Sequence, residues 1–381
     1  MSRLVNRFVD KAISALSRYK DKQEVKSYVS GIRKSYGKLA HKKELTKDQE
    51  IEIQEYYSML LGHPIPLDWH RYFYSRTGNY SKLFFPTSEY KTDIVGRLNV
   101  YPLKRAYTDK NITDIILPNA KQPHIFLKNM NGYYYYDGRP VDRSEALDAC
   151  SNLGEVIIKP SLTGRGVGVR KIKIIDGMTD LDHKSLADVF DLYKEDFLIE
   201  ELVHQHADMK VLNPSSINTI RIVTYRTEME IKVVYTVIRI GRLGKPIDNE
   251  SAGGISTIIH PDGTLGKYAY GSAGDDMIEA TDSGVKLEGY KVPSYTKAVE
   301  MAKENHYSLP YFNLMGWDMA ITEDGTPTMI EFNMTPDLSQ SANGPAFGEY
   351  TELILKEAMN HRNTWSRMAL ESMWKKNSVI K

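Results

Sequence analysis

Apolar positions along the chain follow two different periods, and the change between them divides the sequence. Up to about Leu61 they recur at helical spacing: Leu4, Val5, Phe8, Val9, Ala12, Ile13 and Leu16 share one side of a wheel, with Arg3, Arg7, Lys11 and Arg18 elsewhere on it. From Thr108 onward, short β-branched runs alternate with helical pieces and Gly/Asp turns. "EVIIKP", "VGVRKIKII", "DFLIEELV", "TIRIVTYR", "IKVVYTVIRI", "NLMGWDMAIT" and "TPTMIEFNM" read as strands. "RSEALDACSNL", "HKSLADVFDLY" and "SYTKAVEMAKENHY" read as helices, and a last helix runs over about Tyr350 to Lys375. Between the two regimes, Gly62 to about Tyr107 is rich in aromatic, proline and basic residues, which suits an irregular linking region or part of a substrate wall. The pattern predicts an α+β chain in three parts: a helical, aromatic-rich N-terminal region over 1–105, one α+β unit over 106–195 and a second over 196–381.

The last two strands carry the most chemistry. They are joined by Glu323-Asp324-Gly325-Thr326, and Asp-Gly between alternating apolar runs is a strong hairpin signal. With a two-residue turn at Asp324 and Gly325, Glu323 pairs with Thr326 and Asp318 lies opposite Glu331. Asn333, two residues on, projects from the same face as Glu331. Like charges directly opposite in a ladder are unfavourable. Two carboxylates and an amide oxygen on one face therefore ask for a divalent cation, and an all-oxygen set suits Mg²⁺. The flanking Trp317, Met319, Ile330 and Phe332 are too apolar for a solvated ribbon.

A second constellation is "VIIKPSLTGRGVGVRKI". A strand delivers Lys159 at its end, and Gly164, Gly166 and Gly168 make a loop whose backbone N–H groups can close on phosphate oxygens. No helix follows the glycines, which excludes the dinucleotide fingerprint, and the lysine precedes them, which excludes a Walker loop. Farther on, Arg221 lies between Ile220 and Ile222 on a strand and needs an anionic partner: a structural carboxylate or a transferring phosphoryl group.

Composition narrows the classes. A formal net charge of +1 gives no reason to expect nucleic acid. The single cysteine, Cys150, excludes internal disulfides and thiolate metal cages and fits a reducing compartment. No apolar run reaches the length of a membrane span, and the charge-interrupted start is unlike a signal peptide, so a cytoplasmic protein is expected. The basic N-terminal helix is read as the cover of a domain, with contact to an anionic membrane surface as the alternative. The histidines are scattered without metal-ligand spacing, and no Ser-His-Asp or Cys-His arrangement stands out.

Taken in order, Asp109-Lys110, "IIKPSLTGRGVGV", "IEELVHQH", "NPSSINTIRIVT", "DNESAGGI", "GWDMAI" and "IEFNMTPDLS" resemble the ATP-grasp superfamily over about residues 105–345. More closely they are similar to its sugar-transfer-associated branch, linked to surface-polysaccharide synthesis. The resemblance implies two α+β subdomains clasping ATP. It implies that Lys110 and Lys159 meet nucleotide phosphates, that the loop Thr163–Gly168 is a mobile flap, and that Glu200, Glu201 and Val203 form the hinge reading adenine. The ribose-binding position, ordinarily an acid, falls in His206-Ala207-Asp208, with His206 the candidate and Asp208 the alternative. Asp318, Glu331 and Asn333 match magnesium ligands. "VIRIGRLGKPIDNESAGGIS" is similar to amide-forming ligases and would put Arg239 and Asn249 beside an acyl phosphate, with Arg221 stabilising charge. The implied activity is an ATP- and Mg²⁺-dependent carboxylate–amine ligase, with an amino acid and a sugar acid or nucleotide-sugar as partners. The alternatives are a phosphotransferase acting on a hydroxyl and a non-catalytic nucleotide- or glycan-binding protein.

Overall fold

The computed structural model describes residues 19, 22–164, 166–245, 253–272 and 277–360. The expected helix over 4–16, Arg165 of the glycine loop, Asn249 and the closing helix beyond residue 360 lie outside the described residues. Two antiparallel sheets carry the architecture. The first holds β1 (Ile125–Met130), β2 (Tyr133–Tyr136), β3 (Arg139–Val141), β4 (Gly154–Pro160), β5 (Arg170–Ile175), β6 (Met178–Thr179) and β7 (Phe197–Glu201), in the order β3-β2-β1-β7-β4-β5-β6. The second holds β8 (Thr219–Arg226), β9 (Ile231–Ile240), β10 (Ile255–Ile258), β11 (Leu314–Ile321) and β12 (Pro327–Asn333), in the order β10-β9-β8-β11-β12.

One face of the first sheet buries Leu127, Ile158, Ile172, Ile174 and Phe197 against the helices Arg143–Cys150 and Leu186–Tyr193. Both helices begin with a capping box, Asp142 with Glu145 and Ser185 with Asp188, which satisfies the free N–H groups of the first turn. β7 comes last in sequence but sits mid-sheet, paired with β1 on one side and β4 on the other. A boundary between residues 195 and 196 thus separates this strand from the sheet that satisfies its backbone on both edges. β1 and β2 are not marked by the apolar runs that predict the other long strands. Their signal is Asn131-Gly132, both at positive φ, the dipeptide that closes a tight hairpin.

The second sheet is buried on both faces. Ile220, Ile222, Trp317 and Met319 pack toward the helix Tyr295–Tyr307 through its Ala298 and Ala302. On the opposite face Val223, Tyr225, Val237 and Leu314 meet Ile53 and Tyr57 of the helix Lys47–Leu61, together with Tyr90, Ile94 and Ile354. The N-terminal region therefore shares a core with the second sheet. The expected irregular linker contains a helix, Asp68–Thr77, whose Trp69, Tyr72 and Phe73 pack with Phe84 and Leu39. Its aromatic residues form a core, and proline and glycine only punctuate it.

The hairpin pairs Asp318 with Glu331, but by a different route from the expected one. Thr322 and Gly325 close the turn (Gly325 N–H to Thr322 O, 2.8 Å), and Thr322 N–H bonds Thr326 O at 3.0 Å. Glu323 therefore does not pair with Thr326. The register near the turn is Met319 with Met329, and a bulge at Ile330 restores Asp318 to Glu331.

Candidate active site

The face of the second sheet that is apolar at Leu314 and Val223 turns polar farther along the same strands, because alternate residues share a face. Arg221 on β8 is paired with Asp318 on β11, and Asp318 with Glu331 on β12. Arg221 donates to both oxygens of Asp318, the Nη2–Oδ2 bond being 2.9 Å. Arg239 on β9 reaches the same Oδ2 at 2.9 Å and donates to Thr219 Oγ1 at 2.8 and 3.0 Å. Burial pushes the Asp318 carboxyl up, but the two guanidinium groups outweigh this and hold it below the usual aspartate range. Burial likewise works against the charge on Arg221, and Asp318 beside it prevails, raising the guanidinium above its ordinary value. Gly316, two residues before Asp318, allows the close approach of the next segment: a Cβ there would meet Pro336 Cβ at 2.8 Å and Arg221 Cδ at 3.5 Å.

A cleft of about 1050 Å³ runs between this face and the first sheet. From the first sheet come Lys159 at the end of β4, the loop residues Thr163, Gly164 and Gly166, and the end of β7 with Glu200 to Val203. Lys159 makes a buried ion pair with Glu200, so the Glu200 side chain holds the lysine in place. Beyond β7, Leu202 and Val203 line the cleft, and outside the strand ladders their backbone groups make no backbone hydrogen bond among the described residues. That leaves a donor and an acceptor edge for a planar base. Lys110 donates to the carbonyls of Ser161 and Thr163 and so grips the glycine loop. Burial depresses the Lys110 ammonium, nearby Glu331 raises it and Lys159 lowers it further.

Two expected residues stand apart. Gly168 does not line the cleft; its φ of +77° and a would-be Cβ contact of 2.7 Å with Pro160 Cγ make it a packing glycine. His206 is also absent from the cleft lining. Its ring Nδ1 accepts from Asp208 N–H at 3.2 Å and caps the short helix Ala207–Lys210. Conversely, the cleft is lined by Lys91, Lys104 and Thr335, which the sequence reading did not single out because nothing in their local spacing marks them.

The residues present fit a divalent cation. Glu331 lines the cleft with no ion pair among the described residues, and Asn333 Nδ2 is buried without a partner. Half a turn of that amide presents its oxygen instead. Mg²⁺ needs only one or two carboxylates beside phosphate and water oxygens, so Glu331 and Asn333 suffice as the protein's share. Asp318 adjoins them but is already bonded to Arg221 and Arg239. Among the described residues no group of three or more His, Cys, Asp or Glu is placed so that it could hold a metal ion by itself.

Two antiparallel sheets clasping a cleft, one bearing a glycine-rich loop and the other an acidic hairpin, define the ATP-grasp class. The chain belongs to the sugar-transfer associated ATP-grasp family, whose model matches residues 89–353. Among solved structures it is similar to D-alanine–D-alanine ligase from Bacillus anthracis complexed with ATP (13% identity, 71% of this chain and 67% of that one, TM-score 0.37). It is also similar to the D-Ala:D-Ser ligase VanG from Enterococcus faecalis (13%, 66% and 60%, TM-score 0.40). A third is an L-amino acid ligase from Bacillus licheniformis (13%, 69% and 49%, TM-score 0.37). The chain thus spans from about half to two thirds of these proteins' lengths. No curated protein matches the chain. Among the described residues no helix is long and apolar enough to cross a membrane.

Proposed function

We propose that the protein is an ATP- and Mg²⁺-dependent carboxylate–amine ligase, releasing ADP and phosphate, in the synthesis of a surface polysaccharide or glycoconjugate. The observation that carries the reading is the convergence of Lys110, Lys159, Arg221, Arg239, Glu331 and Asn333 on one cleft between the two sheets. The free backbone edge at Leu202 and Val203 would take the adenine, and the loop Thr163–Gly166 would cover the phosphates. Mg²⁺, held by Glu331 and Asn333, would neutralise charge on the terminal phosphates. A carboxylate oxygen attacks the γ-phosphorus and the bond to ADP breaks, giving an acyl phosphate. An amine nitrogen then attacks the acyl carbon, phosphate leaves, and the nitrogen loses a proton. Phosphoryl transfer of this kind rests on positioning and electrostatics more than on a protein nucleophile. Arg221 and Arg239 are fixed by Asp318 and Thr219 before substrate arrives, so they need no reorganisation as charge develops.

The test is incubation with ATP, Mg²⁺ and pooled carboxylates and amines, following ADP, phosphate and product mass. ADP and phosphate should appear together only when both classes are present, and hydroxylamine in place of the amine should trap a hydroxamate. Recovery of the γ-phosphate on a sugar or alcohol would make the protein a phosphotransferase on this fold.

A further inference from the structure

Lys91 and Lys104 converge on one residue of the cleft wall. Thr335 stands two positions beyond Asn333; Lys91 Nζ donates to its carbonyl at 3.1 Å and Lys104 Nζ to its hydroxyl at 2.8 Å. Two ammonium groups are thus brought to one residue of the cleft wall. The segment they grip is clamped on every side. Asn99 Nδ2 donates to Met334 O, Tyr90 Oη to Pro336 O at 2.8 Å, and Tyr235 Oη to Asp337 O. The nearby Asp337 carboxylate lies 3.1 Å from Lys91 but is 80% exposed, where water weakens the pair.

The backbone that delivers Lys91 is itself uncommon. Tyr90–Ile94 is a π-helical turn, closed by Val95 N–H to Tyr90 O, and such turns concentrate at functional sites. Ser272 and Ser339 line the same cleft and add hydroxyl donors. The nucleotide reading uses neither lysine, since Lys110, Lys159, Arg221 and Arg239 already meet the phosphate charge.

We propose that Lys91, Lys104 and Thr335 form a subsite for a second anionic group, a carboxylate or a phosphate, carried by the substrate that accepts the phosphoryl group. The N-terminal region thereby selects an acceptor bearing at least two negative groups, one that reacts and one that anchors. The acceptor's role rests on the ligase reading, while the capture of an anion by the lysine pair is measurable without it.

The probes are succinate for a carboxylate anchor and glycerol 3-phosphate for a phosphate anchor. Each is titrated calorimetrically into the full chain, alone and saturated with Mg²⁺ and a non-hydrolysable ATP analogue that occupies the phosphate end. One probe should bind the saturated wild type, identifying the anchor, and binding should weaken as salt is raised. Lys91→Gln and Lys104→Gln should each weaken it by about tenfold or more. Lys104→Arg should retain it, and all variants should keep the analogue affinity and the wild-type unfolding curve. Equal probe affinity in wild type and both glutamine variants, or binding of neither probe, would overturn the proposal. Failure of the wild type to bind the analogue would refute the nucleotide reading instead, and the titration without nucleotide would still decide the lysine pair.

Discussion

At the residue scale, Asp318 is where the sequence argument and the structure diverge most usefully. Counting along the hairpin places it opposite Glu331, and that pairing is found. The inferred repulsion is not, because Arg221 and Arg239 come from strands whose neighbours in space the sequence does not reveal. Asp318→Ala therefore takes the two-pronged partner from the buried Arg221 and one acceptor from the partly buried Arg239. It should cost about 3–5 kcal/mol of stability, as the loss of one partner of a buried pair does. Glu331→Ala removes a carboxylate without an ion pair among the described residues and should stay within about 0.5 kcal/mol of wild type. Urea denaturation of the two variants checks this: equal stability would mean that the Asp318 pairs do not form in solution. Under the ligase reading both variants should lose turnover, so the stability difference separates the structural carboxylate from the one offered to the cation.

At the element scale, the longer strands and helices after residue 150 were legible because apolar periodicity marks them directly, whereas the short β6 and β10 were not. "TIRIVTYR" and "IKVVYTVIRI" coincide with β8 and β9. What the pattern could not carry was partnership: β7 enters the first sheet's centre, and the bulge at Ile330 compensates a turn one residue longer than expected. Two histidines tie elements together in ways that titrate. His70 meets Lys82 O at 3.0 Å, and His306 lies between Thr224 Oγ1 at 2.8 Å and Phe312 O at 2.7 Å. Burial depresses both from 6.5 to about 4. Between those values the unfolded chain binds more protons than the folded one, so stability falls as pH falls. Each histidine should remove about 2–3 kcal/mol between pH 7 and pH 4.5. Denaturation curves across that range should show the slope, and His70→Gln should flatten it; an unchanged slope would mean that His70 is not held neutral.

At the scale of the whole molecule, the region before residue 106 reads in sequence as a helical cover followed by an irregular linker or part of a substrate wall, and its described residues from Ile53 to Leu98 share a core with the second sheet. Tyr57, Tyr90 and Ile94 pack on the face of the second sheet whose continuation carries Arg221 and Asp318. The cleft is therefore walled at one end by residues that no strand or glycine motif announces, Lys91 and Lys104 among them. Spacing made one end of the cleft legible, since Lys159, the glycines and the hairpin acids each follow a local rule. The end at Lys91, Lys104 and Thr335 depends on long-range packing and was not. Transfer of the γ-phosphoryl group to a carboxylate before an amine displaces it would leave its mark on the oxygen atoms. The carboxylate found in the pooled screen, labelled with ¹⁸O in its carboxyl group, is turned over with ATP and the amine, and the phosphate released is weighed by mass spectrometry. One ¹⁸O should pass from the carboxylate into each inorganic phosphate; phosphate released without label, while product forms at the same rate, would contradict the account.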